Sequence, residues 1–166
     1  MKKIEYLKVI LILPANVIIT IPLLIYILSH NFFSFNIISP FNFVFYFSIF
    51  SLLIGLWLAI WSVRTFYTKG GEGTPGPWKP VTNLVISGPY RYIRNPMLLG
   101  VFFILLFESV FFSSTALFIW FIIFFIGNII YFKNFEEKDL IQRFGAEYKN
   151  YKNNVPMLYP RFTRYK

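Results

Sequence analysis

Residues 88–100 read GPYRYIRNPMLLG, and they run without a break into a long apolar stretch. Gly88 tolerates unusual backbone angles and Pro89 fixes its own φ, so the chain can turn sharply there. Asn95 directly before Pro96 suits a helix N-cap followed by proline at the first helical position. A membrane helix is therefore expected to begin at Pro96, with its first N–H groups pointing back at whatever the preceding loop encloses. A helix N-terminus attracts a carboxylate or phosphate, and Arg91 and Arg94 add guanidinium groups suited to the same anion. Gly100, one turn in, permits close approach of a ligand or of another helix. Helix capping with headgroup anchoring by Arg and Tyr accounts for the same residues equally well.

Outward from this segment the chain is oily. Of 166 residues, 57% are hydrophobic, 14% are charged and 22 are phenylalanine, whereas a soluble domain carries about a quarter charged residues. Apolar runs occupy about Tyr6–Leu28 (interrupted by Pro14, Asn16, Thr20 and Pro22), Phe41–Val63, Met97–Phe112 and Thr115–Tyr131. The first is longer than a signal-peptide core and no small-residue cleavage site follows it, so it reads as a proline-kinked span. The third is short, about 24 Å at the usual helical rise. Only Ser113-Ser114 separates it from the fourth, which predicts a helical hairpin. The expected fold is all-α: an integral membrane protein with four transmembrane helices, a cytoplasmic loop and a C-terminal amphipathic helix covering the site. We take residues 1–166 as one domain, with two spans in 1–65 and a cofactor-binding loop, helical hairpin and tail in 66–166.

Cations fall at the N-terminus, between runs two and three, and after run four. Residues 30–40 and 113–114 carry no Lys or Arg. The positive-inside rule then predicts both termini in the cytoplasm, in a cell inner membrane. The net charge of +9 follows from topology and anionic headgroups rather than from nucleic-acid binding. The absence of cysteine excludes disulfides and thiolate chemistry, and one histidine, His30, leaves no basis for a metal site.

Two polar pieces remain to build a site: the loop 66–96 and the tail 133–166. The loop opens TKGGEGTPGPWKP, where prolines stiffen a glycine-rich chain and Trp78 suits the membrane interface. LVIS (84–87) reads as extended chain or a helical turn. In the tail, Asn128, Tyr131 or Phe132, Phe135 and Glu136 fall on one helical stripe, with Glu137 beside Glu136. Leu140, Ile141 and Phe144 form an apolar face. Gly145 ends or interrupts the helix, and Tyr148 and Tyr151 follow three residues apart. The pattern predicts an amphipathic helix that lies on the membrane and folds back over the loop. Glu108, the acid inside a span, reads as a structural hydrogen bond near the outer end or as a contact with the lipid portion of a substrate.

GPYRYIRNPMLLG resembles the G-x-Y-x-x-x-R-[HN]-P-x-Y-x-G element of the isoprenylcysteine carboxyl methyltransferases and related membrane phospholipid methyltransferases. EEKDLIQRFGAEYKNYKNNVP resembles that family's closing E-E-x-x-L-x-x-x-[FY]-G-x-x-Y-x-x-Y element and its V-P. Leu98, Asn95 and Met157 stand where the carboxyl methyltransferases carry tyrosine, histidine and arginine. The resemblance implies an S-adenosylmethionine pocket at the cytoplasmic membrane edge, with a lipid or lipid-linked carboxylate or amine as methyl acceptor. It implies cofactor contacts from Gly88, Tyr90, Arg94, Asn95, Pro96, Leu98, Gly100, Glu136, Glu137, Tyr148 and Tyr151. Arg94, Glu136 and Tyr148 are the expected catalytic group. The chemistry agrees: a helix end with Arg94 suits the cofactor carboxylate, a glutamate its ammonium, and tyrosines its base or sulfonium. An NADPH-dependent membrane reductase of the steroid-reductase type and a non-catalytic lipid- or partner-binding relative are the rival readings. The sequence leaves oligomeric state and the acceptor's identity open.

Overall fold

The structure, a computed structural model, describes residues 12, 14–73 and 81–165. Lys2, Lys3, Lys8, the start of the first apolar run, Lys79 and the Pro75–Pro80 stretch with Trp78 lie outside the described residues. Among those described there are helices and loops and no strand. A turn of π-helix at Asn16–Thr20 leads into α1 (Ile21–Ser29), followed by α2 (Phe43–Lys69), α3 (Pro96–Phe111) and α4 (Thr115–Tyr131). A second π turn, Phe132–Glu136, joins α4 to α5 (Glu137–Asn154). Two helical stretches, Phe43–Lys69 and Thr115–Asn154, are long and apolar enough to cross a membrane, while Asn16–Ser29 and Pro96–Phe111 are apolar but shorter. Against the expectation of four crossings, the described residues thus hold two helices of crossing length and two shorter apolar ones.

The pairing of α2 with α3 sets the frame. The buried residues of α2 are Ser48, Ser51, Gly55, Leu58, Ser62 and Thr65, a stripe of mostly small side chains at spacings of three and four. Small residues let helix backbones approach closely where lipid supplies no hydrophobic drive. The approach is tight: a Cβ on Gly55 would lie 2.8 Å from the Gly100 carbonyl oxygen, and one on Gly100 would lie 2.9 Å from that of Gly55. Ser51 Oγ donates to the Phe103 carbonyl at 2.8 Å across the same crossing. The opposite face of α2 exposes Phe43, Phe50, Leu53 and Trp57, as a lipid-facing surface does.

At one end of the bundle, Ser114 caps α4 by accepting from the Leu117 N–H, and the α3–α4 hairpin turns through Ser113 at φ 48. The Asn36 and Ile38 N–H groups donate to the Phe112 and Phe111 carbonyls, tying the α1–α2 loop to this end. Near it, Glu108 Oε2 is buried without a hydrogen-bond partner among the described residues.

The polar end is built by the tail. The α5 helix is kinked at Gly145, whose φ 55 and ψ −128 lie outside helical space. Beyond the kink Tyr148, Tyr151 and Val155 are buried together, with Leu84, Ile86, Leu140, Ile141, Phe144 and Tyr165 packed on them. The tail helix thus folds back over the loop, as its pattern predicted. The chain after α5 then runs along residues 91–95. Arg94 N–H donates to the Pro156 carbonyl at 2.9 Å, Asn95 N–H to Met157 at 3.2 Å, Arg161 N–H to Tyr92 at 3.1 Å and Tyr165 N–H to Arg91 at 3.1 Å. Tyr151 Oη adds a bond to the Tyr90 carbonyl at 2.6 Å. The segment entering α3 and the C-terminal tail are one packed unit.

Candidate active site

The segment at the centre of that unit folds as its residues dictate. Gly88 sits at φ 58, and a Cβ there would lie 2.6 Å from Thr65 Oγ1, so only glycine fits both the angle and the space. Residues Gly88–Arg91 form a short 3-10 turn with Pro89 at its start. Asn95 Oδ1 accepts from the Leu98 N–H at 3.3 Å, capping α3 with Pro96 in its first turn. Tyr90 is fixed by edge contact with Phe66 of α2, ring centroids 4.8 Å apart.

Arg94 leaves this segment toward the tail. Its Nε donates to the Val155 carbonyl at 2.8 Å, and its Nη1 pairs with Glu137 Oε1 and reaches Tyr148 Oη at 3.2 Å. Lys152 Nζ lies 2.5 Å from the other oxygen, Glu137 Oε2. The guanidinium also lies over the Phe132 ring, 5.7 Å from its centroid. Burial alone would raise the Glu137 carboxyl, but the hydrogen bonds from Lys152 and Arg94 outweigh it and hold the group below the ordinary carboxylate value. Burial likewise opposes the Arg94 charge, and the interactions with Glu137 and Tyr148 together more than restore it.

Glu136, one residue earlier, points elsewhere because successive helical residues diverge by about 100°. It lines a cavity together with Tyr90, Arg94, Asn95, Tyr148 and Tyr151, and no described residue forms a salt bridge with it. Burial, then the negative charges of Asp139 and Glu137, push its carboxyl up to about 7. Burial pushes the Tyr148 phenol up to about 12 and raises that of Tyr151 as well. Both phenols stay protonated near neutrality; Tyr151 donates to the Tyr90 carbonyl, and Tyr148 accepts from Arg94 Nη1. Glu136 is the group in this wall that exchanges a proton in the neutral range.

The cavity has a volume of about 110 Å³ and is only part-enclosed. Its remaining wall is apolar apart from one amide: Val81, Asn83, Leu84 and Val85 come from the loop, and Phe66, Met97, Phe132, Leu140 and Phe144 from the helices. Of the residues expected at the site, Tyr90, Arg94, Asn95, Glu136, Tyr148 and Tyr151 come together here. Gly88 lies against Thr65 and Gly100 against Gly55. Pro96 is buried in the first turn of α3, Leu98 contributes its N–H to the cap, and Glu137 is taken up by its two cations. Arg91 turns its Nε to the Ile86 carbonyl at 3.5 Å, away from the anion site expected of it. Met157, at the position of the family's arginine, is buried and serves through its backbone carbonyl. The apolar wall was missed because its residues come from four separate parts of the chain. Only the spacing of Leu140 and Phe144 and the stripe that set Phe132 beside Glu136 foreshadowed it.

A helical bundle thus closes one end with a part-enclosed, largely apolar cavity that holds Arg94 and Glu136, between a helix N-terminus and a folded-back tail. Residues 43–147, more than half the chain, match the phospholipid methyltransferase family, and the chain belongs to that family of methyltransferases. Curated relatives include methanethiol S-methyltransferase 2 of Bradyrhizobium diazoefficiens, 39% identical over 75 residues that make up 43% of this chain and 27% of the relative. Methanethiol S-methyltransferase of Pseudomonas deceptionensis is 33% identical over 78 residues, 45% of this chain and 28% of the relative. The matched part therefore spans about a quarter of each relative's length.

Proposed function

We propose that this protein transfers a methyl group from S-adenosylmethionine to a lipid or lipid-like acceptor at the cytoplasmic edge of the cell inner membrane. The observation that carries the reading is that Arg94 and Glu136 line one cavity. Glu136 has no cationic partner among the described residues, and Arg94 Nη2 makes no hydrogen bond there. A zwitterionic amino-acid end fits that pair, carboxylate to Arg94 and ammonium to Glu136. Tyr148 and Tyr151 supply aromatic faces for a base or a sulfonium. When bound, the cofactor supplies the activated methyl group. The protein aligns the acceptor with it and excludes water through the apolar wall.

An amine or thiol acceptor must lose a proton, whereas a carboxylate need not. The relatives named above are methanethiol S-methyltransferases, so a thiol joins the amine and carboxylate as an acceptor class to test. A 2′-phosphate would need spare cations. Arg91 and Arg143 next to the cavity are instead bonded to Ile86, Asp139 and Val81, which weighs against the NADPH reading. Calorimetric titration of the detergent-purified protein should show S-adenosylmethionine binding and no NADPH binding. Binding of neither would favour a non-catalytic relative. Lipid extracts and methanethiol, each incubated with labelled cofactor and analysed by mass spectrometry, then identify the acceptor.

A further inference from the structure

Lys152 belongs to none of the residues expected at the site, yet it completes the charge cluster around Arg94. Glu137 is almost buried, its side chain 6% exposed, and faces two cations, Arg94 on Oε1 and Lys152 on Oε2. A carboxylate paired with a lone guanidinium tends to take it two-pronged, using both oxygens. Here Lys152 holds the second oxygen at 2.5 Å. Arg94 is left with a one-point contact through Nη1, steadied by Nε on the Val155 carbonyl at 2.8 Å. Its Nη2 has no bond to a described residue, and the side chain lines the cavity. Two cations against one anion also leave the cluster a net positive charge, which favours an anionic ligand group most strongly in a low-dielectric pocket.

We propose that Lys152 is a positioning residue: by occupying Glu137 Oε2 it keeps Arg94 in single-point pairing and reserves Nη2 for the carboxylate of the ligand. This rests on reading the cavity as an S-adenosylmethionine site. The variant Lys152→Met frees Oε2, lets Glu137 capture both guanidinium nitrogens and neutralises the cluster.

The test compares calorimetric affinities of the full chain for S-adenosylmethionine and for its decarboxylated analogue, which lacks the group Arg94 is reserved for. Lys152→Met should bind S-adenosylmethionine roughly tenfold more weakly, the scale of one charge-assisted hydrogen bond, and bind the analogue as the unmodified protein does. Lys152→Arg should restore most of the loss. Lys149→Met, the same charge change at an exposed position of α5, should have little effect. In a Glu137→Gln background the Lys152 substitution should add nothing, because the residue acts through Glu137. That double variant also removes both partners of a pair, which folded proteins tolerate better than removal of one. Equal losses for both ligands, equal losses at positions 149 and 152, or unchanged affinity in Lys152→Met would each overturn the proposal while leaving the cofactor site standing. If the unmodified protein binds no S-adenosylmethionine, the reading of the cavity fails and this inference goes with it.

Discussion

Glu136 and Glu137 are neighbours in sequence with opposite circumstances. Glu137 is held ionised by Lys152 and Arg94. Glu136 is raised to about 7 by burial and by the acids beside it. A carboxyl raised in the folded state binds its proton more tightly there than when unfolded. Its stabilising contribution is therefore complete below the ordinary value of 4.5 and is lost as pH rises through about 7. Without cofactor, Glu136→Gln should accordingly melt higher than the unmodified protein at pH 8. With cofactor the sign reverses. The ionised carboxylate is the form that holds an ammonium, so affinity should strengthen from pH 6 to pH 8 and level off above. Glu136→Gln should flatten that profile and weaken S-adenosylmethionine binding by about 1.5–3 kcal/mol, the range for a hydrogen bond to a charged group. Calorimetry at several pH values checks both statements. Unchanged affinity in the variant would remove Glu136 from the site.

The α5 helix shows how one residue shapes an element. Gly145 has nothing within 4 Å of where a Cβ would be, so space does not require glycine there; the backbone angles, φ 55 and ψ −128, do. Gly145→Ala should cost about 1–3 kcal/mol, as residues forced into sparsely populated backbone regions do. Relief by straightening α5 would pull Tyr148 and Tyr151 off the loop. A thermal melt should shift down and cofactor affinity should fall together. A melt shift with full affinity would mean that the tail keeps its place without the kink. The sequence marked Gly145 as an end or interruption of the helix but gave no direction for the chain beyond it. That direction is set by burial of Tyr148, Tyr151 and Val155 against Leu84 and Ile86, residues some sixty positions away.

For the whole molecule, two helices of crossing length and two shorter apolar ones can make the four crossings expected from sequence only if the bilayer thins around the shorter pair. The chain lacks cysteine, which makes orientation directly testable. In intact cells Ser34→Cys, in the exposed loop before α2, should react with a membrane-impermeant maleimide. Lys149→Cys should react only after permeabilisation. The reverse pattern would place the cavity on the outer face and remove the cytoplasmic cofactor pool from the mechanism.

The membrane character, the helix start at Asn95-Pro96 and the α3–α4 hairpin were legible in the sequence because each depends on local composition, capping or spacing within a few residues. The serine and glycine spacing along α2 was equally present, and only the Gly55–Gly100 approach revealed it as a packing face. Which glutamate is paired and which faces the cavity, why Gly100 must be small, and how the apolar wall closes were decided by tertiary structure. In each case the deciding partner is distant in the chain: Lys152 and Arg94 for Glu137, Gly55 for Gly100, Phe66 and Val81 for the wall. A local pattern fixes what an element offers, whereas charge pairing and burial depend on which surfaces the folded chain brings together.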